Sequence, residues 1–316
     1  MADSRDQVDQ NSQLRVRAAW IYYVEGHTQN EVAAIMGLPR LTVTRLLSEA
    51  RRRGEVKIDI VSPLAGLADI QRALEIKYGL SQAVVAPFLA SEGEPVKVIA
   101  AAAGRYISEM MTDNLTVGVG WGRTLLASLP FIQGRPLQNI RVISMLGGIA
   151  QARRFNPAEF AWQFAELFEG EGFLVPAPAV VDSPETKLAL LERCGLAEIF
   201  EMAALVDVAL ISVGAVSTLT TFYRSGHVSE TERMSLADAG AVGDILLNFI
   251  DENGDLVDHP VNTRAMSLDL ARLAKVPRKI LVSGGQEKLA SLRGTLKLLK
   301  PTTFITDEQT ALALLD

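Results

Sequence analysis

A glycine-rich turn beside an arginine and a hydroxyl is the part of the sequence best suited to bind an anion. The run Gly118-Val119-Gly120-Trp121-Gly122-Arg123-Thr124 follows a short apolar segment and opens a helix-like one. At such a turn, backbone N–H groups and the positive end of a helix converge, which favours phosphate or carboxylate. The pattern therefore predicts that an anionic ligand is contacted by Gly120, Gly122, Arg123 and Thr124.

Three other glycine-bearing segments also follow predicted strands: Gly147-Gly148, Ser212-Val213-Gly214 and Ser283-Gly284-Gly285. Lys288 comes one helical turn after the last of them, where its ammonium could reach the same anion. Asp244 and Arg264 interrupt apolar runs and are candidates for sugar-hydroxyl and phosphate contacts. Each feature also has a purely structural interpretation, such as a chain reversal, a solvated lysine or a capped turn. The predicted ligand contacts beyond the first turn are Gly147, Gly148, Gly214, Asp244, Arg264 and Lys288.

A second segment, residues 29–53, has the pattern of a helix-turn-helix that enters DNA. Ala33 is small where two helices would cross, and Gly37 can adopt the positive φ of the tight turn between them. Apolar residues around these positions would bury a shared seam. The polar residues of the second helix remain for the major groove and the phosphates of double-stranded operator DNA. The predicted DNA contacts are Gln29, Arg40, Thr42, Thr44, Arg45, Arg51 and Arg52, with Arg53 and Lys57 as further phosphate contacts.

The distribution of charge agrees with a nucleic-acid-binding segment. Residues 11–57 hold eight Lys or Arg against four Asp or Glu, a net charge of +4, whereas residues 58–316 hold 22 against 30, a net charge of −8. A basic N-terminal unit on an acidic body is typical of a nucleic-acid module attached to another function. The alternative is a helix pair used for protein contacts, with Arg51, Arg52 and Arg53 on a solvated face.

The elements that must position the glycine turns alternate between strands and helices. Strands are predicted at 82–86, 115–119, 140–145, 173–175, 208–213, 246–250, 279–283 and 303–306, with helices between most of them and a further short strand at 56–61. Strands that end in glycine turns and lead into helices predict a doubly wound, mostly parallel α/β sheet. In such a sheet, the ligand sits beyond the carboxyl ends of the strands.

Length and composition limit the possibilities further. The 316 residues suffice for an all-α, winged-helix-like domain at residues 1–60 and a larger α/β domain at 61–316. No apolar run of 18 residues appears, so no membrane span is expected, and the polar start of the chain predicts a cytoplasmic protein. The single Cys194 is expected to be a half-buried helix residue, and the three histidines share no metal spacing. No metal or cofactor is predicted.

Several motifs together resemble the SorC family of bacterial transcriptional regulators, which is grouped with the DeoR-like sugar regulators. The resemblance covers nearly all of residues 13–316 and is much more specific than any single motif. It includes TVTRLLSEARRRGEVKI in the helix-turn-helix, VGVGWGRTL at 117–125, PAPAVVD at 176–182, ISVGAV at 211–216, GAVGDILLNFID at 240–251 and SGGQEKLASLRGTLK at 283–297.

The resemblance implies an effector domain similar to sugar-phosphate isomerases and glucosamine-phosphate deaminases, in which a phosphorylated sugar or polyol controls operator binding. It also implies a homo-oligomer, either a dimer or a tetramer. Carried onto this chain, it assigns the phosphate cradle to Gly120, Gly122, Arg123 and Thr124, completed by Lys288. The alternative is an active isomerase or deaminase fused to the DNA-binding module. It would need a general base, for which Asp182 and Asp244 are the candidates.

Overall fold

The computed structural model describes residues 3–56, 65–88, 95–149, 156–217 and 228–316. The chain divides into two compact units, Met1–Ala65 and Gly66–Asp316. The domain boundary predicted near residue 60 and the strand predicted at 56–61 fall largely outside the described residues, as does Lys57. Among the described residues, no helix combines the length and apolar character needed to cross a membrane.

The first unit is a bundle of short helices. It contains α1 (Asp3–Ala19), a π-helical turn (Trp20–Val24), α2 (Gln29–Met36) and α3 (Arg40–Arg52). The helices share one small core, formed by Ala18, Ala19, Ile21, Val32, Val43, Leu47 and Ala50.

The ends of α2 follow from its sequence. The Thr28 hydroxyl accepts the N–H of Glu31, whose side chain accepts the N–H of Thr28, so a capping box begins the helix. Gly37 ends it with φ of 65°, a left-handed conformation that glycine adopts without steric cost. Pro39 has an extended backbone and is the N-cap of α3, one position before the first helical turn. The predicted helix-turn-helix geometry is therefore confirmed.

The second unit is built on a seven-stranded parallel sheet of order β1-β10-β9-β5-β2-β3-β4. Every neighbouring pair in it is parallel, which confirms the predicted fold class. The strands of this sheet are β1 (Gln82–Ala86), β2 (Thr116–Val119), β3 (Arg141–Gly148), β4 (Glu171–Pro178), β5 (Val208–Ile211), β9 (Arg278–Val282) and β10 (Thr303–Asp307).

Helices cover this sheet and join its strands. Successive strand residues alternate between two apolar clusters: Val208 and Leu210 of β5 belong to one, Ala209 and Ile211 to the other. Both faces are therefore covered, as expected for parallel strands. The helices are α4 (Ala65–Tyr78), α5 (Val96–Met110), α6 (Arg123–Ser128), α7 (Pro157–Glu166), α8 (Pro184–Arg193), α9 (Ala197–Ala204), α10 (Glu230–Asp238), α11 (Pro260–Arg264), α12 (Leu270–Leu273), α13 (Leu289–Leu299) and α14 (Glu308–Leu315).

A small antiparallel sheet differs from the sequence prediction. It consists of β6 (Val213–Ala215), β7 (Gly243–Ile245) and β8 (Asn248–Ile250). The single strand predicted at 246–250 is wrong, because Leu246 and Leu247 form the turn between β7 and β8 with φ of 52° and 62°. Positive φ is uncommon for residues with a β-carbon, so a leucine pair gives no turn signal.

Three further expectations need correction. Gly147 and Gly148 are the last residues of β3 rather than a turn, and Gly214 lies within β6. Helix α9 has no counterpart in the predicted elements. Cys194 is exposed at the C-cap of α8, not half-buried, because α8 ends there and Gly195 reverses the chain with φ of 74°.

The close packing of the small sheet predicts that one added methyl group lowers the stability of the protein. A β-carbon on Gly243 would overlap the Gly214 carbonyl oxygen and the Ser291 β-carbon, neither of which can rotate away. Gly243→Ala should lower the free energy of unfolding by about 1–3 kcal/mol in urea titrations followed by circular dichroism. The control is Gly172→Ala, whose added carbon would lie 3.6 Å from the nearest atom, Ala165 Cβ. Equal effects of both substitutions would contradict the packing described here.

Candidate functional site

The strand order places a crevice between β2 and β5. From β2 the chain moves outward through β3 and β4, whereas from β5 it moves to the other side through β9 and β10. Doubly wound sheets bind ligands where the order reverses in this way, beyond the carboxyl ends of the two strands. Gly120-Trp121-Gly122 leaves β2 at this edge and Ser212 leaves β5. The structure therefore puts the predicted anion-binding turn at the topological switch point.

Neighbouring atoms leave little space at this turn. The Gly120 N–H donates to the Leu210 carbonyl over 2.8 Å. A β-carbon on Gly120 would lie 2.9 Å from Leu246 Cδ2, and one on Gly122 would lie 3.4 Å from Ser212 Oγ. Gly122 also has φ of 137°, which side chains rarely permit. Because both residues are glycines, Leu246 and Ser212 can approach the backbone of the turn closely. Helix α6 begins directly after the turn, with half-buried Arg123 and buried Thr124.

A buried carboxylate lies close to this turn, and the charge of a buried lysine acts on it. Asp244 lies in β7 opposite Gly214, and its Oδ2 accepts the Leu247 N–H over 3.0 Å. Burial raises the pKa of the Asp244 carboxyl to about 6, while the Leu247 hydrogen bond and the charge of Lys288 act in the opposite direction. Lys288 ends the short 3₁₀ turn Gln286–Lys288 and is buried. Three predicted residues, Asp244, Lys288 and Gly214, are thus brought together.

Two buried hydroxyls at the same sheet edge were not singled out by sequence reasoning. Ser283 Oγ and Thr306 Oγ1 lie at the ends of β9 and β10, and neither has a hydrogen-bond partner in the described part of the chain. A β-carbon on Gly284 would overlap the Asp307 carboxylate and would lie 3.0 Å from Thr306 Oγ1. Buried polar groups without partners are rare in proteins, so a cluster of them at a strand edge is typical of a polar ligand site. For Ser283, its position directly after the buried strand β9 was the available signal.

Other predicted ligand contacts have structural partners. A β-carbon on Gly147 would lie 2.6 Å from the Ala177 and Pro178 carbonyl oxygens. The Gly147 N–H donates to the Met266 carbonyl over 2.8 Å. Gly148 accepts the N–H of Ala179. These bonds hold β3 to β4 and to the 265–268 segment. The glycine pair is therefore explained by close strand packing.

Arg264 has a different set of neighbours. It lies in α11, pairs with Glu232 of α10 over 2.5 Å, and reaches the Val181 carbonyl at 3.4 Å. The hydrogen bond from Thr186 lowers the pKa of nearby Asp182, and the charge of Arg264 acts in the same direction. Arg264 thus joins α10 to the segment after β4, and its charge is already matched by a carboxylate.

In the first unit, most predicted DNA contacts are exposed on α3. Arg40, Thr42, Arg45 and Arg51 are exposed. Thr44 is half-buried, and its hydroxyl lies 3.0 Å from Gln29 Oε1 on α2 and 3.1 Å from the Arg40 carbonyl. Thr44 and Gln29 therefore hold α2 against α3, whereas Arg40, Thr42, Arg45 and Arg51 are exposed to solvent.

Arg52 and Arg53 share one carboxylate. Arg52 donates two hydrogen bonds to Glu49, over 2.8 and 2.5 Å, and Arg53 donates one over 2.5 Å. These bonds lower the pKa of Glu49 to about 2. A phosphate must compete with Glu49 for both guanidinium groups. Across the described residues, no cluster of three or more His, Cys, Asp or Glu side chains could hold a metal ion.

Comparison with known proteins decides between the two interpretations of this architecture. The family model described as a sugar-binding domain matches residues 62–316. The deoxyribonucleoside regulator of Bacillus subtilis strain 168 is 31% identical over 312 residues, covering 97% of this chain and 98% of that protein. The erythritol catabolism regulatory protein EryD of Brucella abortus strain 2308 is 29% identical over 309 residues, covering 97% and 98%. This chain belongs to the SorC/DeoR-like family of transcriptional regulators.

Solved structures of this family share the fold. The full-length sorbitol operon regulator SorC from Klebsiella pneumoniae superposes with a TM-score of 0.73, at 24% identity, over 98% of this chain and all of that one. A DeoR family regulator from Listeria monocytogenes gives 0.72 at 22% identity, over 78% of this chain and 98% of that one. The curated relatives are regulators rather than isomerases or deaminases, so the chain is a transcriptional regulator and not an enzyme.

The raised pKa of Asp244 predicts a pH dependence of stability. Its carboxyl group holds a proton more tightly in the folded chain than in the unfolded chain, where the pKa is about 4. Raising the pH from about 4 to about 6 should therefore lower the free energy of unfolding, by roughly 3 kcal/mol at most. Asp244→Asn removes this titration but retains an acceptor for the Leu247 N–H. Thermal unfolding between pH 4 and 7 should show a smaller loss of stability with rising pH for the variant than for the wild type. If the two proteins lose stability equally, the pH dependence comes from groups other than Asp244.

Proposed function

We propose that this family member binds operator DNA through α3 and is controlled by a small phosphorylated sugar or polyol held at the switch-point crevice. The observation that carries the proposal is the crevice at the switch point, where the glycine turn after β2 contacts Leu246 and where Asp244 and Lys288 are both buried. The proposed contacts are Gly120, Gly122, Arg123, Thr124, Gly214, Asp244 and Lys288. Gly147, Gly148 and Arg264 would border the crevice rather than bind the ligand.

The chemistry of the crevice fits an anionic polyhydroxy compound. Lys288 supplies a buried positive charge, and backbone N–H groups after β2 supply donors for phosphate oxygens. Asp244 and the hydroxyls of Ser283 and Thr306 supply groups suited to sugar hydroxyls. A buried carboxylate would repel a simple anion, so it favours a ligand that places hydroxyls beside Asp244 and its phosphate elsewhere. The printed name of the Bacillus subtilis relative refers to deoxyribonucleosides and that of EryD to erythritol.

Control of DNA binding requires that the ligand prefer one arrangement of the protein over another. A ligand with equal affinity for both would change nothing, and a nearly complete switch requires roughly a 10⁴-fold preference. Helix-turn-helix proteins usually bind two half-sites as symmetric dimers, so a homodimer or homotetramer is part of the proposal. In it, the ligand changes the spacing of two α3 helices rather than the structure of either one.

The DNA assignment predicts a difference between exposed and engaged arginines. Arg40→Ala and Arg45→Ala should each weaken binding by about 1–3 kcal/mol if they reach base edges, because each loses a bidentate contact. Arg52→Ala should cost less, since Glu49 already binds that guanidinium. The measurement is a band-shift titration on a duplex that the wild-type protein selects from a random library. Unchanged affinity of both the Arg40 and Arg45 variants would refute the assignment of α3 to the groove.

The ligand assignment predicts a loss of response without a loss of DNA binding. Lys288→Met keeps the aliphatic stem but removes the ammonium. A thermal-shift screen of sugar and polyol phosphates, with their unphosphorylated counterparts, should raise the melting temperature of the wild type by mass action for the phosphorylated compounds. The variant should lose this shift while it binds the selected duplex normally. The exposed Lys297→Met on α13 is the matched control. A variant that retains the full shift would remove Lys288 from the site.

A further inference from the structure

The first turn of α3 exposes a large apolar side chain. Leu41 is 64% exposed, and its neighbours Arg40 and Thr42 are exposed as well. The residues that α3 buries in the core of the first unit are Val43, Leu47 and Ala50. Single exposed apolar side chains are common on protein surfaces, so the role of Leu41 depends on the face of α3 that it occupies.

Leu41 lies on the face of α3 opposite the core. At about 100° per residue, it is about 160° around the helix from buried Val43. Arg45 and Ser48 follow Leu41 by four and seven residues, a spacing that places all three side chains on one face. Both residues are exposed. Leu41 is therefore the first residue of the surface that presents Arg45 to the solvent.

The position of Leu41 along the helix is one from which side chains reach the bases of DNA. It is the second residue of α3, and the N-terminal residues of a recognition helix contact base edges in the major groove. A leucine side chain has no hydrogen-bond donor or acceptor, so it can bind neither a phosphate nor the polar edge of a base. The apolar group that the major groove offers is the C5-methyl of thymine.

A protein partner fits this surface less well than DNA. An apolar interface around Leu41 would also bury Arg40, Thr42 and Arg45, whose polar groups would need new hydrogen-bond partners. In a major groove, the same three residues meet phosphates and base edges, which supply acceptors. The mixture of polar and apolar side chains around Leu41 therefore matches a groove that has both kinds of group.

We propose that Leu41 contacts the C5-methyl of a thymine in the operator. The inference rests on the proposed function, in which α3 enters the major groove, and it adds a base preference that the arginines do not supply. Leu41 and Arg45 are about 6 Å apart along the helix axis, and successive base pairs are about 3.4 Å apart. The thymine therefore lies within about two base pairs of the base that Arg45 contacts, for which guanine is the usual partner.

Uracil substitution tests the contact, because uracil differs from thymine only in lacking the C5-methyl. The full-length wild-type protein first selects a duplex from a random library, and each thymine of that duplex is then replaced in turn. Replacement at one position should weaken binding about fourfold, the factor expected for burial of one methyl group. Leu41→Ala should bind the thymine and uracil duplexes equally. Thr42→Ser removes the methyl of the neighbouring side chain and should keep the wild-type difference.

Two outcomes of this experiment would overturn the inference. Leu41→Ala would retain the difference between thymine and uracil if its side chain did not contact the methyl. Thr42→Ser would abolish the difference if the threonine methyl made the contact instead.

Two further measurements separate base reading from other roles of Leu41. Leu41→Ala should keep the wild-type melting temperature, because the side chain is exposed. It should also keep the slope of log affinity against log salt concentration, because no phosphate contact is lost. Arg51→Ala, which removes a proposed phosphate contact, should reduce that slope by about one. A reduced slope for Leu41→Ala would assign its effect to the phosphates and overturn the inference.

Failure of this inference can be told apart from failure of the proposed function. If the wild-type protein selects no duplex, the proposed function is refuted and the thymine contact with it. If Arg45→Ala weakens binding to the selected duplex but no uracil substitution does, the assignment of α3 to the groove stands and only the contact of Leu41 is refuted.

Discussion

Leu246 packs against the backbone of Gly120, and this contact joins the two parts of the proposed crevice. Leu246 and Leu247 both have positive φ, which costs about 1–2 kcal/mol per residue for side chains with a β-carbon. Asp244 accepts the Leu247 N–H, and the Asn248 amide donates to the Ile245 and Leu246 carbonyls over 3.1 and 3.3 Å. Two polar side chains thus hold a strained turn in place. Asp244 therefore supports the hairpin, in addition to the ligand contact proposed for it.

The sequence predicts the parallel sheet well because most of its strands are short and apolar, and because β2 and β9 lead into glycine turns. The bounds of β1 and the positions of β2, β3, β9 and β10 follow from that pattern to within a few residues. The small antiparallel sheet could not be predicted in the same way. Its hairpin turn consists of two leucines, and its conformation depends on hydrogen bonds from Asp244 and Asn248 and on burial against Gly120. Tertiary contacts determine that turn, and no local propensity indicates it.

The predicted site residues also fall into two groups, those that remain candidates in the structure and those that have structural roles. Asp244 is predicted because it interrupts an apolar run, and Lys288 because it follows the glycine turn Gly284-Gly285 by one helical turn. Both are buried in the structure. Gly147, Gly148 and Arg264 share the same sequence features but have structural roles: close packing of β3 against β4 and an ion pair with Glu232. A glycine that admits a ligand and a glycine that admits a neighbouring strand look identical in sequence. The atoms opposite the missing β-carbon show which neighbour each glycine admits: the Pro178 carbonyl oxygen at Gly147 and Leu246 Cδ2 at Gly120.

The electrostatics of the crevice suggest how ligand binding becomes a usable signal. Burial of the Asp244 carboxylate opposes its ionised form, and one backbone N–H together with the charge of Lys288 offsets only part of this cost. Ligand hydroxyls that donate to this carboxylate would recover part of the remainder, because hydrogen bonds to a buried charge are stronger than those in water. A ligand gains this energy only in a conformation where it can contact Asp244, Lys288 and the Gly120 turn at the same time. In the proposed function, a ligand that uses this energy favours that conformation, which is the differential affinity that control of DNA binding requires.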